Sequence, residues 1–176
     1  VIGMGGYASV PAAIAAWLLR RPLLLQEQNA VAGSANRNLA RFARRIVTGF
    51  PGVLTQHTKA EYLGNPIRKE MIAAGEHRDT ESVEGRALRI LVLGGSLGAR
   101  PLNEAVPPIA AALGASCEWR HQCGAAHAAA ARAAYESQSV AAQVMPFIED
   151  MAEAYAWAAL VVCRAGALTV AELAVM

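Results

Sequence analysis

The chain has 176 residues, 55% of them hydrophobic, with a formal net charge of +2. This composition excludes a disordered chain and gives one full domain or parts of two, while so small a charge gives no ground for nucleic acid as a partner. Cys117, Cys123 and Cys163 make neither a CxxC pair nor an even disulfide set, so they read as buried thiols in a reducing compartment; His121 near Cys123 lacks the second ligand pair a zinc site needs.

Val1 to Leu19 carries no charge, yet Gly3, Gly5, Gly6 and Pro11 interrupt it, and what remains helical from Ser9 is too short to span a bilayer. No signal-peptide pattern is visible, and a cytosolic protein is expected. Val1-Ile2 reads as a strand end, followed by the turn Gly3 to Gly6, with Ser9 as cap and Pro11 in the first turn of a helix over Ala12 to Leu19. Leu23 to Gln26 is an expected strand. Gly33 to Ile46 is an expected helix, with Leu39, Phe42, Ala43 and Ile46 on one face; Ile46 to Phe50 either ends it or opens another strand. The pattern weakens from Pro51 to Gly64, Asn65-Pro66 marks a turn, and the polar stretch Ala73 to Arg89 reads as a loop or domain connection.

Alternation then resumes. Strands are expected at Arg89 to Leu93, Glu118 to Gln122, Val140 to Met145 and Leu160 to Cys163. Helices are expected at Pro101 to Leu113, Ala125 to Glu136, Glu149 to Trp157 and from Leu168 onward. Apolar strands alternating with helices imply parallel sheets in an α/β fold with right-handed crossovers.

Three strand–turn–helix junctions stand out, at Gly3 to Ala8, Gly94 to Ala99 and Arg164 to Thr169. The first N–H groups of a helix lack helical partners and its dipole favours anions, so such junctions suit phosphate groups; each taken alone is equally well explained by tight helix–sheet packing. No Gly-Lys-Ser/Thr follows any of them, so the P-loop is absent. Gly3, Gly5 and Ala8 fit G-x-G-x-x-A, and Glu27 ends the next strand, as in a dinucleotide fingerprint; an NAD-dependent oxidoreductase is therefore one reading, and a non-catalytic nucleotide-binding module another. Against NAD, Glu27 sits in a polar cluster, Gln26-Glu27-Gln28-Asn29, built for more than one hydrogen bond.

A series of ordered motifs carries a resemblance. Gly3-Met4-Gly5-Gly6-Tyr7-Ala8-Ser9, Glu27-Gln28-Asn29-Ala30-Val31-Ala32-Gly33, Gly49-Phe50-Pro51-Gly52 and Gly64-Asn65-Pro66-Ile67-Arg68 come first. Gly94-Gly95-Ser96-Leu97-Gly98-Ala99-Arg100, Phe147-Ile148-Glu149-Asp150-Met151 and Cys163-Arg164-Ala165-Gly166-Ala167-Leu168-Thr169-Val170-Ala171-Glu172 complete it. Over nearly its whole length the chain resembles the middle half of a member of the MurG family, within glycosyltransferase family 28. The family's enzymes transfer N-acetylglucosamine from UDP-GlcNAc to lipid I, the undecaprenyl-diphosphate-linked muramoyl pentapeptide.

The resemblance implies a GT-B fold, two Rossmann-like domains with parallel sheets, both incomplete: residues 1–65 on the acceptor side and 66–176 on the UDP-sugar side. It implies inverting transfer with neither metal nor cofactor, at the cytoplasmic face of the bacterial inner membrane, as a peripheral protein. It also implies a histidine-bearing Gly-rich loop before Val1 and paired glutamines after Met176. By the same resemblance Ser96 and Arg68 meet the UDP diphosphate or its surroundings, and Ile148 contacts uracil through its backbone. Ala167, Leu168, Thr169, Val170 and Ala171 form the helix start under the phosphates, Glu172 binds the ribose, and Asn29 reaches the sugar. Glu27 is the one motif carboxylate on the acceptor side; it is either the general base or a buried acid held by backbone amides, and the histidine of the loop before Val1 is the stronger candidate for the base. Family members read His-Glu-Gln-Asn where this chain has Gln26, and an amide does not titrate, so Gln26 is expected to position its neighbours. Arg37, Arg41, Arg44 and Arg45 on the second helix, with Arg20 and Arg21 after Trp17, form either a solvated face or a contact with anionic lipid.

Overall fold

A computed structural model describes residues 1–76 and 86–176. The first sheet contains β1 (Ile2–Gly3), β2 (Leu24–Glu27), β3 (Arg45–Thr48) and β4 (Ala60–Tyr62), paired in that order and parallel throughout. The second contains β5 (Leu88–Leu93), β6 (Cys117–Gln122), β7 (Ala142–Met145) and β8 (Leu160–Cys163), in the order β7-β6-β5-β8, again parallel. The helices are α1 (Ser9–Leu18), α2 (Ser34–Leu39), α3 (Lys69–Glu76), α4 (Arg100–Leu113), α5 (Ala128–Ser137), α6 (Met151–Trp157) and α7 (Ala167–Leu173). Parallel neighbours need crossover connections, and most of these helices supply them.

The chain forms two compact units, Val1–Ile67 with Gly166–Glu172 and Arg68–Ala165 with Leu173–Met176. In the first, Ala13 of α1 and Leu39 of α2 close over Leu25 and Ile46 of the sheet. In the second, Val106 and Ala110 of α4 and Ala131 and Tyr135 of α5 close over Ile90, Val92, Trp119 and Val144. Each large apolar side chain buried this way contributes about 1.5–3 kcal/mol. Among the described residues no helix is long and apolar enough to cross a membrane.

Several local expectations change. The helix expected over Gly33 to Ile46 ends at Leu39, passes through a 3-10 turn at Ala40–Phe42, and gives way to β3. Ala43 is already extended, and the β-branched run Ile46-Val47-Thr48 pairs with β2. Leu39, Ala43 and Ile46 still reach one core, so their spacing reported burial correctly and helix length wrongly. The arginines therefore form no helical stripe: Arg37 lies on α2, Arg41 in the 3-10 turn, Arg44 in the connection and Arg45 on β3. Ser9 does not cap α1; Ala8 holds that position, and the Ser9 hydroxyl donates to the Gly6 carbonyl at 2.9 Å. Ala73–Glu76 belongs to α3 rather than to a loop, and residues 77–85 of that expected loop lie outside the described residues. Of the thiols, Cys123 is buried and Cys117 and Cys163 are half-buried.

The second core holds one polar relay. His121, fully buried, lies 3.0 Å from the Tyr135 hydroxyl through Nδ1 and 3.0 Å from Asn103 Oδ1 through Nε2. An amide oxygen only accepts, so Nε2 carries the hydrogen and Nδ1 accepts from Tyr135. Burial pushes the His121 pKa down to about 4 and pushes the Tyr135 phenol up. An unfolded histidine takes its proton near pH 6.5, so between that value and about 4 the unfolded chain binds more protons than the folded one. Stability should therefore fall as pH drops through this window, by up to about 1.4 kcal/mol per unit. Urea unfolding at pH 7, 6 and 5 should show the decline in the wild type, and a flatter dependence in His121→Gln.

Candidate functional site

Open parallel sheets leave their carboxyl-terminal edge as the place where turns converge and ligands bind. In the second unit this edge carries Ser96 after β5, Gly124 after β6, Ile148 after β7 and Arg164 after β8. Strands β5 and β8 are direct neighbours, with Leu93 level with Cys163, so the Gly94–Ala99 turn and the Arg164 junction leave adjacent strand ends. Ser96 and Arg164 are exposed there. Ile148 is buried, so its side chain is not displayed at the surface. Arg68 and Glu149, next to Ile148, line one open hollow of about 440 Å³ with Glu70, Met71 and Asp150. The Asp150 carboxylate caps α6 by accepting from the Glu153 N–H at 2.9 Å.

In the first unit the Gly3–Ala8 turn joins β1 to α1, with Gly5 and Gly6 at positive φ. Glu27, 2% exposed at the end of β2, accepts four hydrogen bonds. They come from the Asn29 N–H (2.9 Å), Asn29 Nδ2 (3.1 Å), the Gly33 N–H (3.0 Å) and Asn36 Nδ2 (2.9 Å). Burial alone would raise its pKa, but these donors outweigh burial and hold the carboxyl below its ordinary value. Asn29, exposed beside it, has its amide oriented by that carboxylate. Of α7, residues Ala167 to Glu172 group with this unit, and Asn65 Nδ2 donates to the Ala167 carbonyl at 3.5 Å. Glu172 is half-buried. Glu27 and Asn29 are thus brought into contact, as are the surroundings of Arg68 and Ile148, while Ser96 stands on the same sheet edge as Ile148.

Residues 89–176 match the glycosyltransferase family 28 C-terminal domain, and residues 1–48 match that family's N-terminal domain. The chain belongs to glycosyltransferase family 28. An Aeromonas hydrophila UDP-N-acetylglucosamine–N-acetylmuramyl-(pentapeptide) pyrophosphoryl-undecaprenol N-acetylglucosamine transferase is 54% identical over 174 residues, which is 99% of this chain and 48% of that protein. The protein of the same name from Nitrosococcus oceani is 51% identical, over 98% of this chain and 49% of its own length. The crystal structure of Acinetobacter baumannii MurG superposes with a TM-score of 0.72 at 42% identity, covering 98% of this chain and 48% of that one. The chain spans about half the length of the relatives it matches. Its two parallel-sheet units are the Rossmann-like halves of the family's GT-B fold.

Membership of family 28 and the geometry of Glu27 together dispose of the NAD reading. A dinucleotide-binding acid presents free lone pairs to a ribose diol, whereas Glu27 has about four acceptor sites and four donors already on them. The same occupancy weighs against proton abstraction by Glu27. Gln26, where the family resemblance led us to expect histidine, is buried, and its Nε2 donates to Asn65 Oδ1 at 3.2 Å. Asn65 Nδ2 in turn donates to the Gln28 carbonyl at 3.0 Å, so Gln26 positions the end of the first unit. Sequence reading missed Asn36 and undervalued Asn65. Asn36 could have been found as a polar residue among apolar ones on the buried side of α2; Asn65 was read only as a turn former.

Replacing Glu27 with Gln would set an amide nitrogen against hydrogen-bond donors. Glu27→Gln is expected to cost about 2–3 kcal/mol in urea unfolding. Because the folded pKa lies below the 4.5 of a glutamate in the unfolded chain, the carboxylate's contribution is full above that pH and is lost as pH falls through the folded value. The variant should accordingly lose part of the wild type's acid sensitivity below pH 4.5.

Proposed function

We propose that this chain is the central part of an inverting glycosyltransferase that moves N-acetylglucosamine from UDP-GlcNAc to lipid I, giving lipid II. The observation carrying this reading is the match of both family 28 domains, in order, to a chain whose second sheet gathers Ser96, Ile148 and Arg164 at one edge. By the family division residues 1–65 make the acceptor side and residues 66–176 the UDP-sugar side, although Gly166–Glu172 group with the first compact unit.

In the reaction the acceptor's 4-hydroxyl attacks the anomeric carbon, the bond to the UDP oxygen breaks, and the hydroxyl proton passes to a base. Negative charge grows on the departing diphosphate. Backbone N–H groups at the tip of the turn, Gly95 to Leu97, the Ser96 hydroxyl and the Arg68 guanidinium meet that charge, with no metal required for the role. Ile148 offers its backbone to uracil, Ala167, Leu168, Thr169, Val170 and Ala171 lie under the phosphates, and the Glu172 carboxylate accepts from the ribose hydroxyls. Asn29 reaches the sugar. Glu27 orders the loop carrying Asn29 and leaves the proton to another group, because its lone pairs are committed.

The acceptor is a lipid, and the first unit supports a peripheral place on an anionic membrane surface, the cytoplasmic face of the inner membrane. Trp17, Leu18 and Leu19 are 51%, 66% and 71% exposed. Beside them Arg20, Arg21 and Arg44 line a hollow of about 330 Å³ with Trp17 and Phe42, whose rings lie 4.9 Å apart. Apolar side chains ringed by arginines suit a headgroup layer, each cation adding about 1 kcal/mol.

UDP-GlcNAc should raise the melting temperature of the intact enzyme, and NAD should not; protection by NAD alone would overturn the reading. Protection by UDP-GlcNAc without GlcNAc transfer to lipid I would favour a binding module. Ser96→Ala and Arg68→Ala should each weaken UDP-GlcNAc by about tenfold, near 1.4 kcal/mol. The 176-residue chain by itself should transfer no GlcNAc to lipid I. Sedimentation with anionic liposomes should fall when Arg20, Arg21 and Arg44 become Glu, and unchanged binding would remove the membrane contact.

A further inference from the structure

We infer that Asn103, His121 and Tyr135 are positioning residues for the Gly94–Ala99 turn: a buried relay from three elements that locks the main chain beneath the turn and so sets where its N–H groups and Ser96 meet a diphosphate. The inference rests on the reading of that turn as the diphosphate site and adds residues which touch no ligand.

The hydrogen bonds that seat the turn come from main-chain groups. It lies on the backbone that follows β6. The Gly94 N–H donates to the Gln122 carbonyl at 2.8 Å. Gly98 and Gly124 face each other so closely that a Cβ on Gly124 would stand 2.5 Å from the Gly98 nitrogen and 2.7 Å from its Cα. A Cβ on Gly98 would in turn run into the Cys123 carbonyl. Any shift of Cys123–Gly124 therefore shifts the turn.

The Cys123 thiol donates to the Met145 carbonyl at 3.3 Å, and both main-chain polar groups of the residue are bonded as well. Its N–H donates to the Met145 carbonyl at 3.0 Å, and its carbonyl accepts from Asn103 Nδ2 at 3.0 Å. Asn103 belongs to α4, the helix that leaves the turn, and its own N–H donates to the Ala99 carbonyl at 3.0 Å. One residue thus ties the end of the turn to the strand connection below it. The Asn103 amide can serve only one way round, with nitrogen toward Cys123 and oxygen toward His121 Nε2. That orientation needs the hydrogen on Nε2, which leaves Nδ1 an acceptor, and the Tyr135 hydroxyl donates to it and holds the ring against Asn103. Apolar side chains would fill the same space without the desolvation cost of three polar groups, but they would leave the Cys123 carbonyl unheld.

Tyr135→Phe removes one oxygen atom and keeps the ring in the core. His121 Nδ1 is then a buried acceptor with no donor, and the ring loses the bond that holds it against Asn103, so the grip of Asn103 on the Cys123 carbonyl loosens. UDP and uridine separate positioning from general stability, because uridine makes the base and ribose contacts without the phosphates. In the intact enzyme, Tyr135→Phe should raise the UDP dissociation constant by about tenfold and leave uridine binding unchanged. Asn103→Asp, which offers Cys123 no donor, should do the same more strongly; should it fail to fold, Tyr135→Phe decides alone. Equal weakening of UDP and uridine, or unchanged UDP binding in folded Tyr135→Phe, overturns the inference. Absence of saturable UDP binding by the wild type overturns the site reading itself, and this inference with it.

Discussion

Main-chain amides at the carboxyl end of a parallel sheet are weak ligands taken one at a time, and they become useful only when several are held still together. In the second unit the holding is done from below. The Gly94–Ala99 turn rests on Gln122–Gly124, and Gly98 and Gly124 are glycines because neither could carry a side chain across that contact. The parallel register that sets β5 beside β6 and β8 places the turn there, so the sheet and the proposed site share one geometric origin.

The two units organise their turns with different chemistry. The second uses a neutral relay, His121 held uncharged by burial, with each polar atom assigned one partner. The first uses a charge. Glu27 is kept ionised by donors from Asn29, Gly33 and Asn36, and in return it folds the Asn29–Gly33 loop onto the end of β2. A buried carboxylate with its lone pairs filled is a structural anion. Structural hydrogen-bond networks perturb a carboxyl pKa just as active sites do.

The exposed basic residues of the first unit make a similar point about context. On a single helix, four arginines would be a solvated face. Distributed over α2, a 3-10 turn, a connection and a strand, they enter separate surroundings. Arg41 stacks on the Phe42 ring at 4.7 Å, Arg45 pairs with Glu61 at 3.8 Å, and Arg44 joins Arg20 and Arg21 beside Trp17. The lipid-facing proposal draws on the last group, which no single periodic stretch contains.

Much was legible from residue order alone. Alternating apolar strands and helices specified parallel α/β units, and the glycine-rich words at Gly3, Gly94 and Arg164 located the strand–turn–helix junctions, because turn chemistry and burial period are local properties. The strand Leu160–Cys163 was read at its actual limits for the same reason. What residue order could not settle were choices made by partners distant along the chain. Ile46 to Thr48 became a strand because β2 and β4 were there to pair with it. Glu27 became a saturated structural anion because Asn36, nine residues on, turned its amide inward. His121 became a relay because Asn103 and Tyr135, on two different helices, met it in the core. Periodicity reports which side of an element is buried, and only the folded chain brings together the groups that bond there.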